Sequence, residues 1–226
     1  THLVLASRRG PDHPDAEALR ERLTALGAAP VIVACDAGDR EQLRRLIAGI
    51  DPAHPLTTVI HAAAELRDAT LDRLDTGDLD AVLTAKADAA AHLDALTRDL
   101  GLTHFVAFSS IAGVLGSAGQ AGYAAASAYL DALARSRHRR GLPATTLDWG
   151  QWAEASDGTA RLTDADRARL RRTGVAPMDT DAALALLDAA LGRPEPVLVP
   201  ARIDASEPGR AGAAVPPMLR GLVRAR

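Results

Sequence analysis

The sequence contains one cysteine, no long apolar run and no excess of basic charge. Cys35 has no partner for an internal disulfide. No apolar run reaches the roughly 18 residues that a membrane-spanning helix needs. The formal net charge is -3, so nucleic acid binding is disfavoured although arginines cluster at Arg137, Arg139 and Arg140. These absences predict a cytoplasmic protein with no membrane contact and no nucleic acid partner.

Lysine is almost missing as well. Lys86 is the single lysine among 26 basic residues. A high genomic GC content accounts for the arginines but leaves this one lysine unexplained.

Apolar runs alternate along the chain with segments of helical periodicity. At 226 residues and 47% apolar content, the chain can bury one substantial core, which predicts one domain. The strand-like runs are almost continuously apolar, as in parallel strands that are covered on both faces. The pattern predicts an α/β fold, a Rossmann-like doubly wound parallel sheet. The predicted strands are His2–Ala6, Pro30–Ala34, Thr57–His61, His104–Phe108, Ala144–Leu147 and Pro196–Val199, and the predicted helices are Asp15–Leu26, Asp39–Ile50, Ala81–Leu100, Ala121–Arg140 and Asp181–Leu191.

Two stretches interrupt this alternation. Glu154–Gly174 is rich in charged and turn residues and follows a strand end, so we expect a lid over a site. Asp204–Ala214 is rich in glycine and alanine, which predicts a loose connection before the apolar tail Val215–Val223.

Candidate chemistry lies where a strand ends and the next helix begins, because ligands of doubly wound sheets bind at the carboxyl ends of the strands. Ser109 and Ser110 end one strand, and Tyr123 follows near the start of the next helix. A tyrosine with its free pKa near 10 needs a nearby cation to act at neutral pH, and Lys86 is available. Taken singly, each has a structural alternative: the serines as caps, Tyr123 as a half-buried core residue, Lys86 as a surface residue.

A family resemblance covers nearly the whole chain in conserved order and spacing. The chain resembles the ketoreductase domains of modular type I polyketide synthases, in the short-chain dehydrogenase/reductase superfamily. The segments that carry the resemblance are SRRG at Ser7–Gly10, CDAGDR at Cys35–Arg40, HAAAELRDATLDRL at His61–Leu74, TAKADAAAHLDAL at Thr84–Leu96, HFVAFSSIAGVLGSAGQAGYAAASAYL at His104–Leu130, RGLPATTLDWGQWA at Arg140–Ala153 and VPPMLRGLV at Val215–Val223.

The resemblance implies an activity and its partners. It implies an NADPH-dependent 3-oxoacyl-[acyl-carrier-protein] reductase that converts a β-ketoacyl thioester into a β-hydroxyacyl thioester during polyketide chain extension. The acyl chain would be held by phosphopantetheine on an acyl carrier protein. Other domains of the same multifunctional synthase, including an N-terminal structural subdomain, would be partners, and antibiotic biosynthesis is a typical setting. No metal is implied.

The resemblance also assigns roles to residues. Tyr123 would protonate the forming alkoxide, Ser110 would hydrogen-bond the substrate carbonyl, and Lys86 would lower the pKa of Tyr123 and hold the nicotinamide ribose. Arg8 and Arg9 would recognise the 2′-phosphate. The remaining cofactor positions are Ser7, Asp36, Ala37, Ala62, Ala63, Ala64, Trp149 and Gly150, and the positions for substrate and stereocontrol are Asp68, Leu115, Gln120 and Ala125.

The stereochemical group follows from Leu66-Arg67-Asp68. Members that give the D-hydroxyl, the B-type, usually carry Leu-Asp-Asp here, and those that give the L-hydroxyl carry tryptophan at the position of Leu115. Asp68 is present and the tryptophan is not, so we expect the D product. Ala125 stands where proline often accompanies a D-α-substituent, which favours an unsubstituted α-carbon.

Two departures from the family pattern keep an alternative open. Ala64 replaces the glycine of the HAAG turn and adds a Cβ near the cofactor. Ser127 replaces the asparagine that usually stands four residues after the tyrosine, where it shares a helix face and can still bind the same water as a fourth catalytic residue. The alternative is a reductively inactive domain that keeps only epimerase activity or a structural role. A non-catalytic nucleotide-binding or interaction module is disfavoured by the joint presence of Ser110, Tyr123 and Lys86.

A third departure concerns what precedes the first strand. The chain begins with Thr1 rather than methionine, and no Gly-rich phosphate loop is present in the 226 residues. We expect the first strand of the sheet and this loop to lie N-terminal to Thr1 in the native polypeptide, so that the ketoreductase unit 1–226 is N-terminally incomplete. That strand would lie between His2–Ala6 and Thr57–His61, and these residues alone would fold poorly and bind NADPH weakly.

Overall fold

The structure is a computed structural model that describes residues 1–154, 174–204 and 221. The predicted lid, the connection Asp204–Ala214 and the tail Val215–Val223 therefore lie outside the described residues except at Glu154, Gly174, Asp204 and Gly221. In chain order the elements are β1 His2–Ser7, α1 Ala16–Ala25, β2 Ala29–Ala34, α2 Arg40–Ala48, β3 Thr58–His61, α3 Thr76–Leu83, α4 Ala89–Thr97, β4 His104–Ser110, α5 Ala112–Leu115, α6 Ala121–Arg139, β5 Thr145–Trp149, β6 Val175–Ala176, α7 Thr180–Leu191, β7 Val197–Leu198 and β8 Arg202–Ile203.

All of the described strands except β6 and β8 form parallel ladders, which confirms the predicted α/β class. β1 pairs with β2, and β3, β4, β5 and β7 pair in that order. Adjacent side chains of β4 point to opposite faces of the sheet. Val106 packs with Leu147 and Ala183 on the α7 side, whereas Ala107 packs with Ala90 of α4 and Leu130 of α6. A layer of helices therefore covers each face of the sheet, and α4 and α6 belong to the same layer.

The predicted helix Ala81–Leu100 is interrupted. It consists of α3, a π-helical turn over Thr84–Asp88, and α4. A π turn widens a helix by one residue without changing its apolar character, so the periodicity of the sequence does not reveal it. Asp75 begins the segment as the N-cap, and its carboxylate accepts from the backbone N–H of Asp78.

A buried ion pair joins α4 to α6 behind the sheet. The Arg137 guanidinium, 1% exposed, donates to the Asp94 carboxylate and lies 4.1 Å from the centre of the Phe105 ring. Arg140 donates to the same carboxylate. The ion pair satisfies two charges that burial would otherwise leave unpaired, so the relative position of α4 and α6 is well determined.

Three short features are absent from the sequence prediction. They are the 3₁₀ turn Gly10–Asp12, the single-turn helix α5, and the antiparallel pair β6–β8. Gly10 has φ +51°, and a Cβ at this residue would lie 2.2 Å from the backbone nitrogen of Ala34. The turn after β1 therefore approaches β2 as closely as only glycine permits.

A groove separates β1 from β3. Within the described residues β1 is hydrogen-bonded only to β2, and β3 only to β4. The space between them measures about 1910 Å³. Apolar side chains of both strands remain exposed there, with Val4 43% and Ile60 55% accessible. An open edge with exposed apolar residues in the middle of a parallel sheet is unfavourable, because such sheets are normally covered.

We propose that one more parallel strand of the native polypeptide fills this groove. We expect the backbone amides of β1 and β3 that face the groove to exchange slowly with deuterium when the polypeptide preceding Thr1 is present, and rapidly in Thr1–Arg226 alone. Amides of the β4–β5 ladder are the internal control and should be protected in both. Equal protection of β1 and β3 in the two polypeptides would contradict the proposal.

Candidate active site

Three of the predicted residues converge at the carboxyl end of β4. Ser110 ends this strand, and Tyr123 lies in the first turn of α6. Lys86 reaches the same point from the π turn, with its Nζ 4.0 Å from the centre of the Tyr123 ring. The structure therefore brings these three side chains together, and their roles stay predictions. The lysine side chain is fully buried, which rules out the alternative of a surface lysine.

The π turn presents Lys86 to the site. Its backbone carbonyl oxygen lies 2.9 Å from Nε2 of His61, the last residue of β3. Burial lowers the pKa of His61, so the ring is neutral and Nε2–H donates to this carbonyl. The hydrogen bond fixes the lysine backbone to the strand that precedes Ala62–Ala64.

The surroundings of Tyr123 favour its neutral phenol. Burial raises the pKa of Tyr123, and the nearby Asp68 carboxylate raises it further. A hydrogen bond with Ser110 acts in the opposite direction. The Ser110 oxygen also accepts from the backbone N–H of Ala112, so its position is held by α5. A neutral phenol beside a fixed hydroxyl is suited to donate a proton to a carbonyl oxygen.

Lys86 has no hydrogen-bond partner for its ammonium group among the described residues. Burial lowers the pKa of Lys86 and the charges of Asp148 and Asp131 oppose this effect, so that the pKa is about 8. An unpaired buried ammonium is costly, so this group is available for a polar ligand that enters the site.

Ser127 lies directly behind Tyr123 on α6. It is fully buried, and its hydroxyl donates to the Tyr123 carbonyl oxygen at 2.8 Å. Its own carbonyl oxygen accepts from the Ser109 hydroxyl at 3.3 Å. The serine therefore bonds back into its own helix, and its oxygen retains acceptor capacity only.

The predicted cofactor residues line a cleft at the carboxyl ends of β1, β2 and β3. The cleft measures about 760 Å³. Arg8 lies at its mouth and pairs with Glu65 at 3.0 Å. Arg9 is exposed and is not among the residues that line the cleft. The other predicted residues of the cleft are Ser7, Asp36, Ala37, Ala62, Ala63 and Ala64.

Trp149 and Gly150 lie at the end of the neighbouring strand. The Trp149 indole packs against Phe108 and Trp152 on the α7 side of the sheet, opposite α6. A contact with a ligand beside Tyr123 would therefore come from the Trp149 backbone. A Cβ on Gly150 would lie 2.9 Å from the Cβ of Ala201, so this turn packs tightly.

Of the predicted stereocontrol residues, Asp68 lies near enough to Tyr123 for its charge to act on the phenol. Gln120 donates from Nε2 to the Asp68 carboxylate at 3.0 Å, and the backbone N–H of Ala69 donates to Gly119. The loop after β3 is thereby held against the turn that precedes Tyr123. Leu115 is half-buried at the end of α5, and Ala125 is exposed two residues after the tyrosine.

Sequence reasoning missed three buried polar residues around this site, His61, Asp131 and Asp148, and it gave the buried Ser109 no separate role. Two signals were present in the sequence. Asp148 is the one charged residue of its strand, and Asp131 lies at i+8 from Tyr123, on the same helix face. A buried strand carries such a charge only when it has a partner.

The cleft and the buried ammonium suit a nicotinamide dinucleotide. The cleft provides the strand-end position where such cofactors bind in doubly wound sheets, and Arg8 offers a guanidinium to a phosphate. Ala64 does not have positive φ, so its side chain causes no backbone strain. The Lys86 ammonium, without a hydrogen-bond partner in the described part of the chain, is a donor that suits a polar group of such a ligand.

Comparisons with known proteins agree on one family. The family model of the KR domain matches residues 1–154. Mycoketide-CoA synthase of Mycobacterium tuberculosis is 51% identical over 224 residues, which make up 99% of this chain and 5% of that protein. A pikromycin polyketide synthase component of Streptomyces venezuelae is 49% identical over 226 residues, 98% of this chain and 6% of that protein. The chain thus spans a small part of the curated relatives that it matches.

Solved structures show the same likeness. An A-type ketoreductase from a modular polyketide synthase superposes with a TM-score of 0.86 at 45% identity, over 93% of this chain and 44% of that one. The ketoreductase from the first module of phoslactomycin biosynthesis in Streptomyces superposes with a TM-score of 0.87 at 38% identity, over 100% and 52%.

A more distant structure shows how general the fold is. A short chain dehydrogenase from Burkholderia cenocepacia, solved with NADP, has a TM-score of 0.72 at 21% identity, over 87% of this chain and 84% of that one. The family model, the relatives and the solved structures lead to one assignment: the chain belongs to the KR domain family, the ketoreductases of modular polyketide synthases.

Proposed function

We propose that this chain reduces a β-ketoacyl thioester, carried by phosphopantetheine on an acyl carrier protein, to the β-hydroxyacyl thioester with NADPH. The observation that carries the proposal is the buried Lys86 ammonium, which has no hydrogen-bond partner within residues 1–154, 174–204 and 221, against the ring of Tyr123 beside Ser110. A spacer or interaction module has no need to bury an unpaired cation beside a phenol and a hydroxyl.

The residues act on the substrate oxygen. The ketone oxygen accepts from the hydroxyls of Ser110 and Tyr123, which orient the carbonyl. The hydride for the carbonyl carbon would come from bound NADPH, which would be oxidised to NADP⁺. As charge develops on the oxygen, Tyr123 donates its proton, so that the C=O group becomes a C–H and an O–H group. Lys86 stabilises the phenolate that remains until a proton from solvent restores it.

We assign the cleft to the cofactor. Ser7, Arg8, Asp36, Ala37 and Ala62–Ala64 would hold the adenosine half, with Arg8 at the 2′-phosphate in place of its pairing with Glu65. Lys86 would hold the nicotinamide ribose, and the backbone of Trp149 and Gly150 would border the ring. Arg9, which is exposed outside the cleft, would make at most a long-range contribution to the phosphate.

The rival is a domain without reductase activity. Ala64 and Ser127 favoured it, but the cleft remains open around Ala64 and the site keeps its three polar groups. Oxidation of NADPH by the intact domain with a β-ketoacyl thioester separates the two. Turnover supports reduction. Exchange of the α-proton without any oxidation of NADPH would support the epimerase.

Tyr123→Phe should abolish reduction and leave NADPH binding largely intact. The change removes the donated proton, and general acid catalysis is typically worth about 10²–10⁴-fold in rate. Steady-state kinetics and NADPH titration measure the two effects. Tyr129→Phe, an exposed position on the same helix, is the matched control and should be neutral. A Tyr123→Phe enzyme that keeps most of its activity would refute the assignment.

Lys86→Arg should lower kcat and change its pH dependence. Reduction needs the ammonium form, so the wild-type rate is present below a pH near the pKa of Lys86, about 8, and falls as the pH rises through it. Arginine stays charged at that pH, but its planar guanidinium group does not fit a site that holds a compact ammonium group. The variant should be slow and should lose the alkaline fall. An unchanged pH profile would exclude a role for Lys86.

The product should be the D-alcohol. Asp68 and Gln120 are joined beside Tyr123, and Leu115 stands where the L-specific group has tryptophan. Overall structural similarity does not decide the configuration of the product alcohol, because the matched structures include A-type and C2-type ketoreductases. Chiral chromatography of the product measures it, with unsubstituted and α-substituted substrates compared because Ala125 favours the former. A product that is mainly the L-alcohol would show that Asp68 does not select the configuration.

A further inference from the structure

Two carboxyl groups are buried behind Lys86, and the reaction above gives them no role. Asp148 on β5 is 0% exposed and Asp131 on α6 is 7% exposed. Both oxygens of Asp148 and Oδ1 of Asp131 lack a hydrogen-bond partner among the described residues. Unpaired buried carboxylates are costly, so their presence in a core calls for a physical reason.

The backbone places the two carboxyls on the same side of the sheet as the catalytic residues. Tyr123, Ser127 and Asp131 are spaced by four residues and lie on one face of α6. On β5, Thr146 donates to the Leu130 carbonyl oxygen of α6 at 3.1 Å. Asp148 follows Thr146 by two residues and therefore points to the same face. Ser127 and its Ser109 hydrogen bond lie between this pair and the tyrosine.

The ammonium of Lys86 is the cation that these carboxyls face. The charges of Asp148 and Asp131 both act on Lys86 and favour its protonated form against the effect of burial. The other groups that act on the pair are Arg135 on α6, which favours ionisation of both carboxyls, and Ser109 on β4, whose hydroxyl favours the Asp148 anion. His61 faces Lys86 from β3 and is neutral.

Two adjacent buried carboxyls do not both ionise beside a single cation. Burial raises the pKa of Asp131 above its usual range, and the charge of Asp148 acts in the same direction. Burial also raises the pKa of Asp148. Like charges at short range titrate as a pair, with the first proton lost far more easily than the second. The pair is then left with one proton and one negative charge, which equals the charge of one ammonium.

We propose that Asp131 and Asp148 form a carboxyl pair that shares one proton and supplies the single negative charge that keeps Lys86 an ammonium ion. They are positioning residues, because neither contacts the reacting atoms and both act through Lys86. Only the catalytic consequence rests on the proposed reduction. The charge state of Lys86 does not.

The pair has a clear signature in variants. Either single change, Asp131→Asn or Asp148→Asn, leaves the other carboxyl free to ionise and still balances Lys86. Only the double variant removes the counter-charge. Asp88→Asn is the matched control, because Asp88 is an exposed carboxylate two residues from Lys86 in the same π turn.

The titration of Lys86 is the direct readout. Lysine labelled at Cε with ¹³C, in the intact ketoreductase domain, gives a signal for Lys86 that is identified by its loss in Lys86→Arg. We expect the double variant to lower the pKa of Lys86 by about one unit or more, the usual effect of an opposite charge at close range. The single variants should shift it far less, and Asp88→Asn should not shift it. An unchanged titration in the folded double variant would overturn the proposal, and so would a single variant that shifts it as far as the double.

A second measurement covers a double variant that does not fold. If the uncompensated ammonium is what destabilises it, Lys86→Met in the same background removes that charge and should restore folding, as shown by chemical denaturation. A triple variant that is no more stable than the double would count against the pair.

The enzymatic readout separates this proposal from the proposed function. In the double variant the alkaline fall of kcat/KM should move to lower pH with the Lys86 titration, while NADPH affinity measured below that fall changes little. If the wild-type domain reduces nothing, the proposed function fails, yet the Lys86 titration still decides the role of the pair.

Discussion

Burial of one ammonium group is the constraint on which the rest of this site depends. Lys86 is fully enclosed, its Nζ faces the Tyr123 ring, and its backbone is held by His61. Lys86 lies within the π turn Thr84–Asp88, a local widening of the helix of the kind that often occurs at functional sites. The ion pair of Asp94 and Arg137 fixes α4 against α6 and so keeps the ammonium and the phenol in register.

The elements that could be predicted from sequence are those with strong apolar patterns. β1 to β5 and the helices α1, α2, α6 and α7 lie within a few residues of their predicted bounds, because parallel strands and amphipathic helices show in the sequence itself. Lys86 was found because it is the one lysine of the chain, and Tyr123 and Ser110 because they follow a strand end. The roles of these residues came from the family resemblance rather than from spacing.

The features that could not be predicted depend on contacts between segments that are distant in sequence. No local sequence pattern indicates such contacts. The π turn, the bond from His61 and the opposition of Asp131 and Asp148 appear only after the strands are placed side by side. The Trp149 indole is a similar case. The family resemblance assigned Trp149 to the cofactor, but strand alternation directs its ring to the opposite face of the sheet. Alternate residues of a strand point to opposite faces of the sheet. This rule shows which face a residue lies on only when the register of the strand is known.

The two tryptophans have a consequence for spectroscopy. Trp149 and Trp152 are the only ones in the chain, and they lie edge to face, 5.1 Å between ring centres, in the α7 layer. Their fluorescence therefore reports on the layer that packs against β4 and β5. The β1–β2 ladder is separated from them by the groove beside β3, so its opening would leave the emission nearly unchanged. A sharp fluorescence transition in this protein therefore monitors unfolding of the β4–β5 half of the sheet, next to Tyr123. Unfolding of the β1–β2 half, which lines the cleft proposed for the cofactor, would not be detected.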